Sequence, residues 1–221
     1  MFKRIALLLS MVLALAVSSS AGAQEATPPL NPADVEGLES GYARMYIADI
    51  EAMMATPGAM EEMSLDDLAL SGMAAVFTFE DEDAADAAFG EFSDMFPTLF
   101  MESGKDVEST DIDDLGDQAV EHFGEMVIDD ETTAATSMIL VQDGEHIFIA
   151  MIMGGSETSE STRAFAEYLL DGEISDAEIV FNEDGSSTGG VYDIMPNEEN
   201  TDIVQGMVPF MDADFMADTQ E

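Results

Sequence analysis

Acidic side chains are the residues of this sequence that could do the most chemistry, and several of them are clustered. Asp111 and Asp113 alternate along one short stretch, and Asp129 and Asp130 lie in a second acidic run. Carboxylate oxygens are the ligands that Ca²⁺ prefers in proteins. These four aspartates are therefore the candidate metal ligands, with Ca²⁺ as the candidate ion. The alternative is an acidic surface exposed to solvent.

The stretch that begins at Asp111 starts like an EF-hand loop and then departs from it. In an EF-hand, the fifth position supplies an oxygen ligand and the twelfth is a bidentate Glu. Here those positions hold Leu115 and His122. A Ca²⁺ site at Asp111 would therefore be of another type.

Methionine offers a second kind of metal ligand. The chain has 18 Met, and two groups are clustered: Met53, Met54, Met60 and Met63, and then Met151 and Met153. Thioethers are soft ligands that select Cu⁺, so Cu⁺ is a candidate ion ranked after Ca²⁺. Met also fills hydrophobic cores. Core packing is the favoured interpretation, because the apolar run around Met151 is one that any sheet would bury.

Neither histidine lies in a recognised catalytic or zinc-binding pattern. His122 is expected to share a strand face with Val120, and His146 follows a predicted hairpin turn near the surface. The sequence contains no H-E-x-x-H and no G-x-S-x-G motif. A hydrolase that uses paired carboxylates is a further hypothesis. With 48 acidic residues, however, composition alone makes some close pair inevitable, so a non-enzymatic protein is favoured.

The overall charge excludes two classes of partner. Against its 48 acidic residues the chain has five basic ones, for a formal net charge of −43. Binding to a nucleic acid needs about one Lys or Arg per contacted phosphate, and docking on an anionic membrane surface has a similar requirement. Both are excluded, whereas a basic protein or a small ligand is compatible with the charge. The chain has no Cys and so no disulfide or thiolate chemistry.

The first 23 residues predict a secretory signal peptide. A short basic start is followed by an apolar run over residues 5–17 and by small residues that end in Ala21-Gly22-Ala23. The apolar run is shorter than the roughly 20 residues that span a bilayer. We expect cleavage near Ala23, a secreted or periplasmic protein, and a flexible Pro-rich leader over residues 24–32.

An N-terminal helical segment is predicted over residues 33–70. Apolar residues recur there at helical spacing, and Pro32 is suited to the first turn of a helix. Gly37 and Gly41 weaken the prediction. A strand over residues 42–50 is therefore the alternative.

Residues 71–195 are predicted to form the main domain. Its predicted elements are a strand over 74–80, a helix over 83–101, strands over 107–112 and 119–128, a hairpin of 134–141 and 147–153, and a helix over 159–170. Asp143-Gly144 between two β-rich runs is a strong hairpin signal. Both hairpin strands are apolar on both faces, as is typical of central strands that are covered on both sides.

Weaker signals follow that domain. A second hairpin at the sheet edge is predicted from residues 179–182 and 190–194, and residues 196–221 form an acidic tail with an amphipathic stretch over 204–211. Helices that are segregated from an antiparallel sheet define the α+β class. We therefore expect an antiparallel meander sheet with helices packed on it, plus the N-terminal helical segment.

Part of the chain resembles small α+β domains of exported bacterial proteins. The resemblance rests on the stretches VFTFEDEDAADAAFGEF, DIDDLGDQAVEH, MILVQDGEHIFIAMI and STRAFAEYLL, and it covers about residues 73–171. In those domains an Asp-Leu-Gly-Asp turn precedes a meander with an Asp-Gly hairpin, and a closing helix packs on the sheet. The resemblance implies this fold and a role in ligand sensing or accessory binding. It implies no functional residue.

These observations lead to one function hypothesis and two alternatives. The favoured one is an exported, highly acidic, non-enzymatic domain that binds a small ligand or a partner protein and is adapted to saline surroundings. A pocket between the 83–101 helix and the sheet would support it. The alternatives are a metal-binding protein, Ca²⁺ before Cu⁺, and a carboxylate-dependent hydrolase. The oligomeric state is left open.

The acidic composition predicts that stability rises with salt. Repulsion between like charges opposes compaction, and the Debye length falls from about 10 Å at 0.1 M salt to about 3 Å at 1 M. Thermal melts of residues 24–221 followed by circular dichroism, with increasing NaCl, should show a rising melting temperature. A second arm adds about 5 mM CaCl₂ at matched ionic strength, enough to fill sites of ~10⁻⁴–10⁻³ M affinity. Stabilisation by Ca²⁺ well beyond matched NaCl would contradict a purely screening effect and indicate a Ca²⁺ site.

Overall fold

A computed structural model describes residues 35–49, 69–101, 107–129, 132–155, 158–174, 180–181, 187–197, 200–203 and 206–214. The strands are β1 Leu38–Ala48, β2 Ala69–Phe79, β3 Val107–Asp111, β4 Gln118–Asp129, β5 Thr132–Asp143, β6 His146–Gly154, β7 Val180–Phe181, β8 Ser187–Thr188 and β9 Met207–Asp214. The helices are α1 Glu82–Met101 and α2 Thr158–Asp171, and a 3₁₀ turn spans Gly190–Asp193.

Seven of these strands form one antiparallel sheet. Their order is β3-β4-β5-β6-β2-β1-β9, and β7 and β8 pair separately. Strands β3 to β6 are a meander in which each strand pairs with the next. Together with the two helices this is an α+β arrangement, so that part of the sequence prediction is confirmed.

The sheet is buried on both faces. Helix α1 packs Ala85, Phe89 and Phe92 against one face, where they join a core that includes Leu140 and Ile149. Helix α2 packs on the other face through the buried side chains of Phe165, Ala166 and Leu169. Successive residues of a strand point to opposite faces, so the central strands need apolar side chains at nearly every position. The apolar character predicted for the two hairpin strands is explained by this arrangement.

Residues 38–48 form a strand, and the predicted N-terminal helix is wrong over this range. Strand β1 pairs with β2 on one side and with β9 on the other. A strand that is buried on both faces has apolar residues at most positions, and such a run also satisfies helical spacing. The alternative strand over residues 42–50 was the better interpretation. Residues 50–68 of the same predicted segment lie outside the described residues.

The sheet also extends beyond the predicted boundaries of the main domain. Strand β9 comes from the stretch expected to be an acidic tail, and it joins the same sheet as β1. Residues 190–193, predicted as a strand, form a 3₁₀ turn in which Val191 and Tyr192 are buried in the core under α2. The long-range pairing of β9 with β1 therefore determines the last strand, and the packing of Val191 and Tyr192 under α2 determines the 3₁₀ turn.

The turn before β4 fixes the position of the acidic stretch at Asp111. Gly116 adopts a φ of 60°, and a Cβ there would collide with the carbonyl oxygen of Gln142, so the position requires glycine. Leu115 is buried in the core. The Asp117 amide donates to the Gln142 carbonyl at 2.8 Å. The turn is thus anchored to the end of β5.

A buried ion pair attaches the edge strand β9 to β1. Arg44 and Asp212 are directly opposite each other in the sheet, and the guanidinium donates to both carboxylate oxygens, at 2.8 and 3.2 Å. Arg44 also lies over the ring of Tyr192, 5.2 Å from its centroid. Burial opposes the charge, but the hydrogen bond and charge of Asp212 outweigh it and hold the pKa of Arg44 above its ordinary value.

Replacement of Arg44 by Met should destabilise the protein by about 3–5 kcal/mol, because the carboxylate of Asp212 then stays buried without its cation. The double variant Arg44→Met/Asp212→Leu should recover most of that loss. Arg163→Met, which removes exposed ion pairs, should cost less than about 1 kcal/mol. Urea unfolding at fixed NaCl measures all three, since urea leaves the ionic strength unchanged. Equal losses in the Arg44 and Arg163 variants would contradict the buried pair.

Candidate functional site: an acidic cleft beside helix α2

An open cleft of about 840 Å³ lies between the start of α2, the Asp111 turn and strands β4 and β5. Five carboxylates line it: Asp111, Asp113, Asp114, Glu121 and Glu160. Ile112 and Ile139 contribute apolar surface, and Arg163 is the basic residue of the lining. The cleft is on the α2 face of the sheet, and so it is not the pocket between α1 and the sheet that would have supported the binding function.

Glu121 is the most firmly held carboxylate of the cleft. Its Oε1 accepts a hydrogen bond from the Ser137 hydroxyl at 2.7 Å and another from the Ser159 hydroxyl at 2.5 Å. Ser137 lies on β5 and is fully buried, and Ser159 lies in the first turn of α2. Three elements therefore fix the position of one acidic group, which lowers the conformational entropy lost when a ligand binds to it.

The start of α2 is itself held against the sheet. The Thr162 hydroxyl donates to the Thr158 carbonyl at 2.6 Å and lies 3.4 Å from the carbonyl oxygen of Ser137. Thr162 is fully buried. This packing keeps the first turn of α2, which carries Ser159 and Glu160, in a fixed relation to β5.

Arg163 neutralises only part of the acidic lining. It donates to Asp114 at 2.8 Å and to Glu167 at 3.0 Å. The hydrogen bond and charge of Arg163 hold the pKa of Asp114 below its ordinary value. Among the ion pairs found in the described residues, none involves Asp111, Asp113, Glu121 or Glu160. The cleft therefore has a clear excess of negative charge.

The structure separates the four predicted metal ligands. Asp111 and Asp113 both line the cleft. Asp111 pairs with Val120 of β4, and Asp129 lies nine residues farther along that strand, a separation of roughly 30 Å at about 3.3 Å per residue. Asp130 is outside the described residues. Within the described ranges, no group of three or more His, Cys, Asp or Glu is placed to hold a metal ion.

Sequence reasoning missed the residues that organise the cleft. Glu121, Ser137 and the α2 pair Ser159 and Arg163 come from three stretches of the chain with no shared motif. The one available signal was the Asp-Leu-Gly-Asp turn, which places Asp111 and Asp113 beside the sheet. The strand register and the docking of α2 bring the remaining residues together.

The two histidines lie outside the cleft. His122 is 1% exposed and faces the core under α1, as Val120 does, which confirms the shared strand face. Its Nδ1 is 2.9 Å from the Ser109 hydroxyl. His146 is half-buried, with its Nδ1 3.1 Å from the Thr78 hydroxyl. Burial lowers the pKa of both imidazoles below the ordinary value.

Comparison with protein-family models, with curated proteins and with solved structures finds no match to this chain. None of the helices in the described part of the chain is both long enough and apolar enough to cross a membrane.

Both histidines should titrate below pH 6.5 in the folded protein. Because burial lowers each pKa, the unfolded chain binds more protons than the folded one once the pH falls below about 6.5. Their contribution to stability therefore declines as the pH falls through that window. The two imidazole signals can be followed by NMR, with His146→Gln to assign them and the urea-unfolded chain as reference. A folded pKa at or above the unfolded value for either residue would contradict the effect of burial.

Proposed function

We propose that this protein is an exported binding domain whose acidic cleft takes a small organic cation with aliphatic ammonium groups, as in the polyamines. The observation that carries the proposal is the Glu121 carboxylate, held by two serine hydroxyls within a cleft of unbalanced negative charge. A fixed carboxylate forms charge-assisted hydrogen bonds with an ammonium group at little cost in ordering.

The lining favours a ligand that alternates charge with hydrocarbon. Asp111 and Asp113 lie on the turn, and Glu160 lies on α2. The half-buried Ile112 offers apolar surface within the same cleft, which Ile139 also lines although it is almost fully buried. Methylene chains pack on such surface while their ammonium ends reach acceptors, as lysine side chains do on protein surfaces. Ammonium groups joined by short methylene chains match this combination.

An organic cation suits the cleft better than Ca²⁺. Ca²⁺ takes six to eight oxygen ligands at 2.3–2.6 Å, and the described residues contain no compact group of three acidic side chains or histidines. An ammonium group has three donors and needs only a few acceptors. Ca²⁺ is kept as the alternative ligand, with Asp111 and Asp113 as its proposed first contacts.

The acidity outside the cleft is proposed to be an adaptation to saline surroundings after export. Most carboxylates of the described part of the chain are exposed, and salt screens exposed charges more strongly than buried or partly buried ones. The Glu121 carboxylate is partly buried and held by Ser137 and Ser159. Its contact with an ammonium group should therefore persist at salt concentrations that screen the exposed carboxylates.

Spermidine should bind the protein with 1:1 stoichiometry at fixed, high NaCl, as measured by isothermal titration calorimetry. Glu121→Gln should weaken binding at least tenfold, because it removes the charge that the serines hold in place. Glu91→Gln is the matched control, since it makes the same change at an exposed position of α1 on the opposite face. Ser137→Ala tests the contribution of one of the two hydroxyl donors that position the Glu121 carboxylate.

Three results would reject this function. One is the absence of saturable heat when spermidine is added. Another is an equal loss of spermidine affinity in Glu121→Gln and Glu91→Gln, which would indicate attraction to net charge alone. The third is full competition by equal concentrations of CaCl₂ but not of MgCl₂ at matched ionic strength. That result would assign the cleft to Ca²⁺.

A further inference from the structure

A row of sulfur and imidazole side chains crosses the sheet on the face opposite the cleft. The strand register places one residue from each of six neighbouring strands directly opposite the next: Met45, Met73, Met151, Met138, His122 and Ser109. Directly opposed residues project to the same face, with Cβ atoms about 4.5–5.5 Å apart. Four thioethers and a histidine are therefore neighbours along one line, although no two of them are close in sequence.

Burial increases along the row from Met45 to His122, and Ser109 at its end is exposed. Met45, Met73 and Met151 are half-buried, whereas Met138 is 4% exposed and His122 is 1% exposed. Met138 belongs to the core under α1, and Met73 and Met151 pack against that core. The row thus leads from partly accessible thioethers to a buried imidazole.

We propose that Met151, Met138 and His122 form a binding site for a single Cu⁺ ion. Thioether sulfur and imidazole nitrogen are ligands that suit Cu⁺, and soft thioethers discriminate against hard cations such as Ca²⁺ and Mg²⁺. Cu⁺ accepts a low coordination number, so three side chains complete a site. The site is independent of the acidic cleft, which lies on the other face.

Met138 occupies the middle position of the three proposed ligands. Met138 pairs with Met151 on one side and with His122 on the other, so its thioether lies between the other two ligands. Methionine has an unbranched side chain with three rotatable bonds. Met151 can therefore turn its thioether toward an ion held near Met138 without any shift of the backbone, whereas the imidazole of His122 is held by its contact with Ser109.

Ser109 orients the imidazole for this role. Its hydroxyl is 2.9 Å from Nδ1 of His122. In the tautomer with the proton on Nδ1, the imidazole donates to this hydroxyl and Nε2 is the nitrogen that binds the metal. Histidines that bind metals are commonly held in this way by a hydrogen bond at the other ring nitrogen.

The half-buried methionines give the ion a path to the site. Met45 and Met73 continue the row from Met151 toward the β1 side of the sheet. A Cu⁺ ion that reaches these thioethers can move from one sulfur to the next and keep a ligand at each step. Exported proteins meet metals outside the cell, so this role is compatible with the proposed export.

Competition with a chromogenic Cu⁺ chelator such as bathocuproine disulfonate, under anaerobic conditions, tests the site directly. The protein should withdraw one equivalent of Cu⁺. Met138→Leu/Met151→Leu should lower the affinity at least tenfold, since leucine keeps the volume but removes the sulfur. Met195→Leu/Met207→Leu is the matched control, because it removes two buried thioethers from the core under α2 and should leave the affinity unchanged.

NMR of the unmodified protein provides a second readout that needs no core substitution. Cu⁺ is diamagnetic, so it should shift the imidazole signals of His122 and leave those of His146 in place. Failure of the protein to withdraw Cu⁺ would overturn the proposal. So would unchanged affinity in Met138→Leu/Met151→Leu, which would place Cu⁺ at other ligands of the chain. A thermal melt checks that each variant folds.

Discussion

The structure depends on burying one antiparallel sheet on both faces in a chain with a formal net charge of −43. Repulsion among so many carboxylates opposes a compact state, and apolar burial must outweigh it. Two helices on opposite faces provide two cores for one sheet, and residues 138–141 of β5 and 147–150 of β6 belong alternately to the two cores. Most carboxylates of the described residues are therefore exposed to solvent, and the acidic surface and the apolar sheet are consequences of the same constraint.

Polar groups inside this framework occur where they connect elements. Arg44 and Asp212 join β9 to β1, and the hydroxyl of Tyr46 donates to the Pro196 carbonyl at 2.5 Å, which ties the 3₁₀ region to the sheet. Glu121, Ser137 and Ser159 connect β4, β5 and α2 in the same way. A buried charge is tolerated only when it is paired, so these contacts specify which strand lies at the edge and where α2 begins. The acidic cleft is thus formed by groups that also hold the fold together.

The two faces of the sheet offer different chemistry because side chains alternate along each strand. Glu121 and His122 are adjacent in sequence, yet Glu121 lines the cleft under α2 and His122 lies in the core under α1. One face therefore collects hard oxygen ligands and a guanidinium, and the other collects thioethers and an imidazole. Hard and soft cations are attracted to different ligands, so the two proposed sites can operate in one small domain without competing for the same ion.

The sequence by itself determined the elements whose signals are local. The Asp143-Gly144 hairpin, the helix that follows residue 81, the helix near residues 159–170 and the α+β class were all predictable, because turn chemistry and periodicity depend on neighbours in the chain. Other features were decided by the tertiary structure. The sequence predicts a helix in place of β1 because burial on both faces removes the alternation that marks a strand. It predicts a tail in place of β9 because the pairing partners are far apart in the chain, as Arg44 and Asp212 are with a separation of 168 residues. The cleft around Glu121 and the row through Met138 depend on strand register, which only the folded sheet fixes.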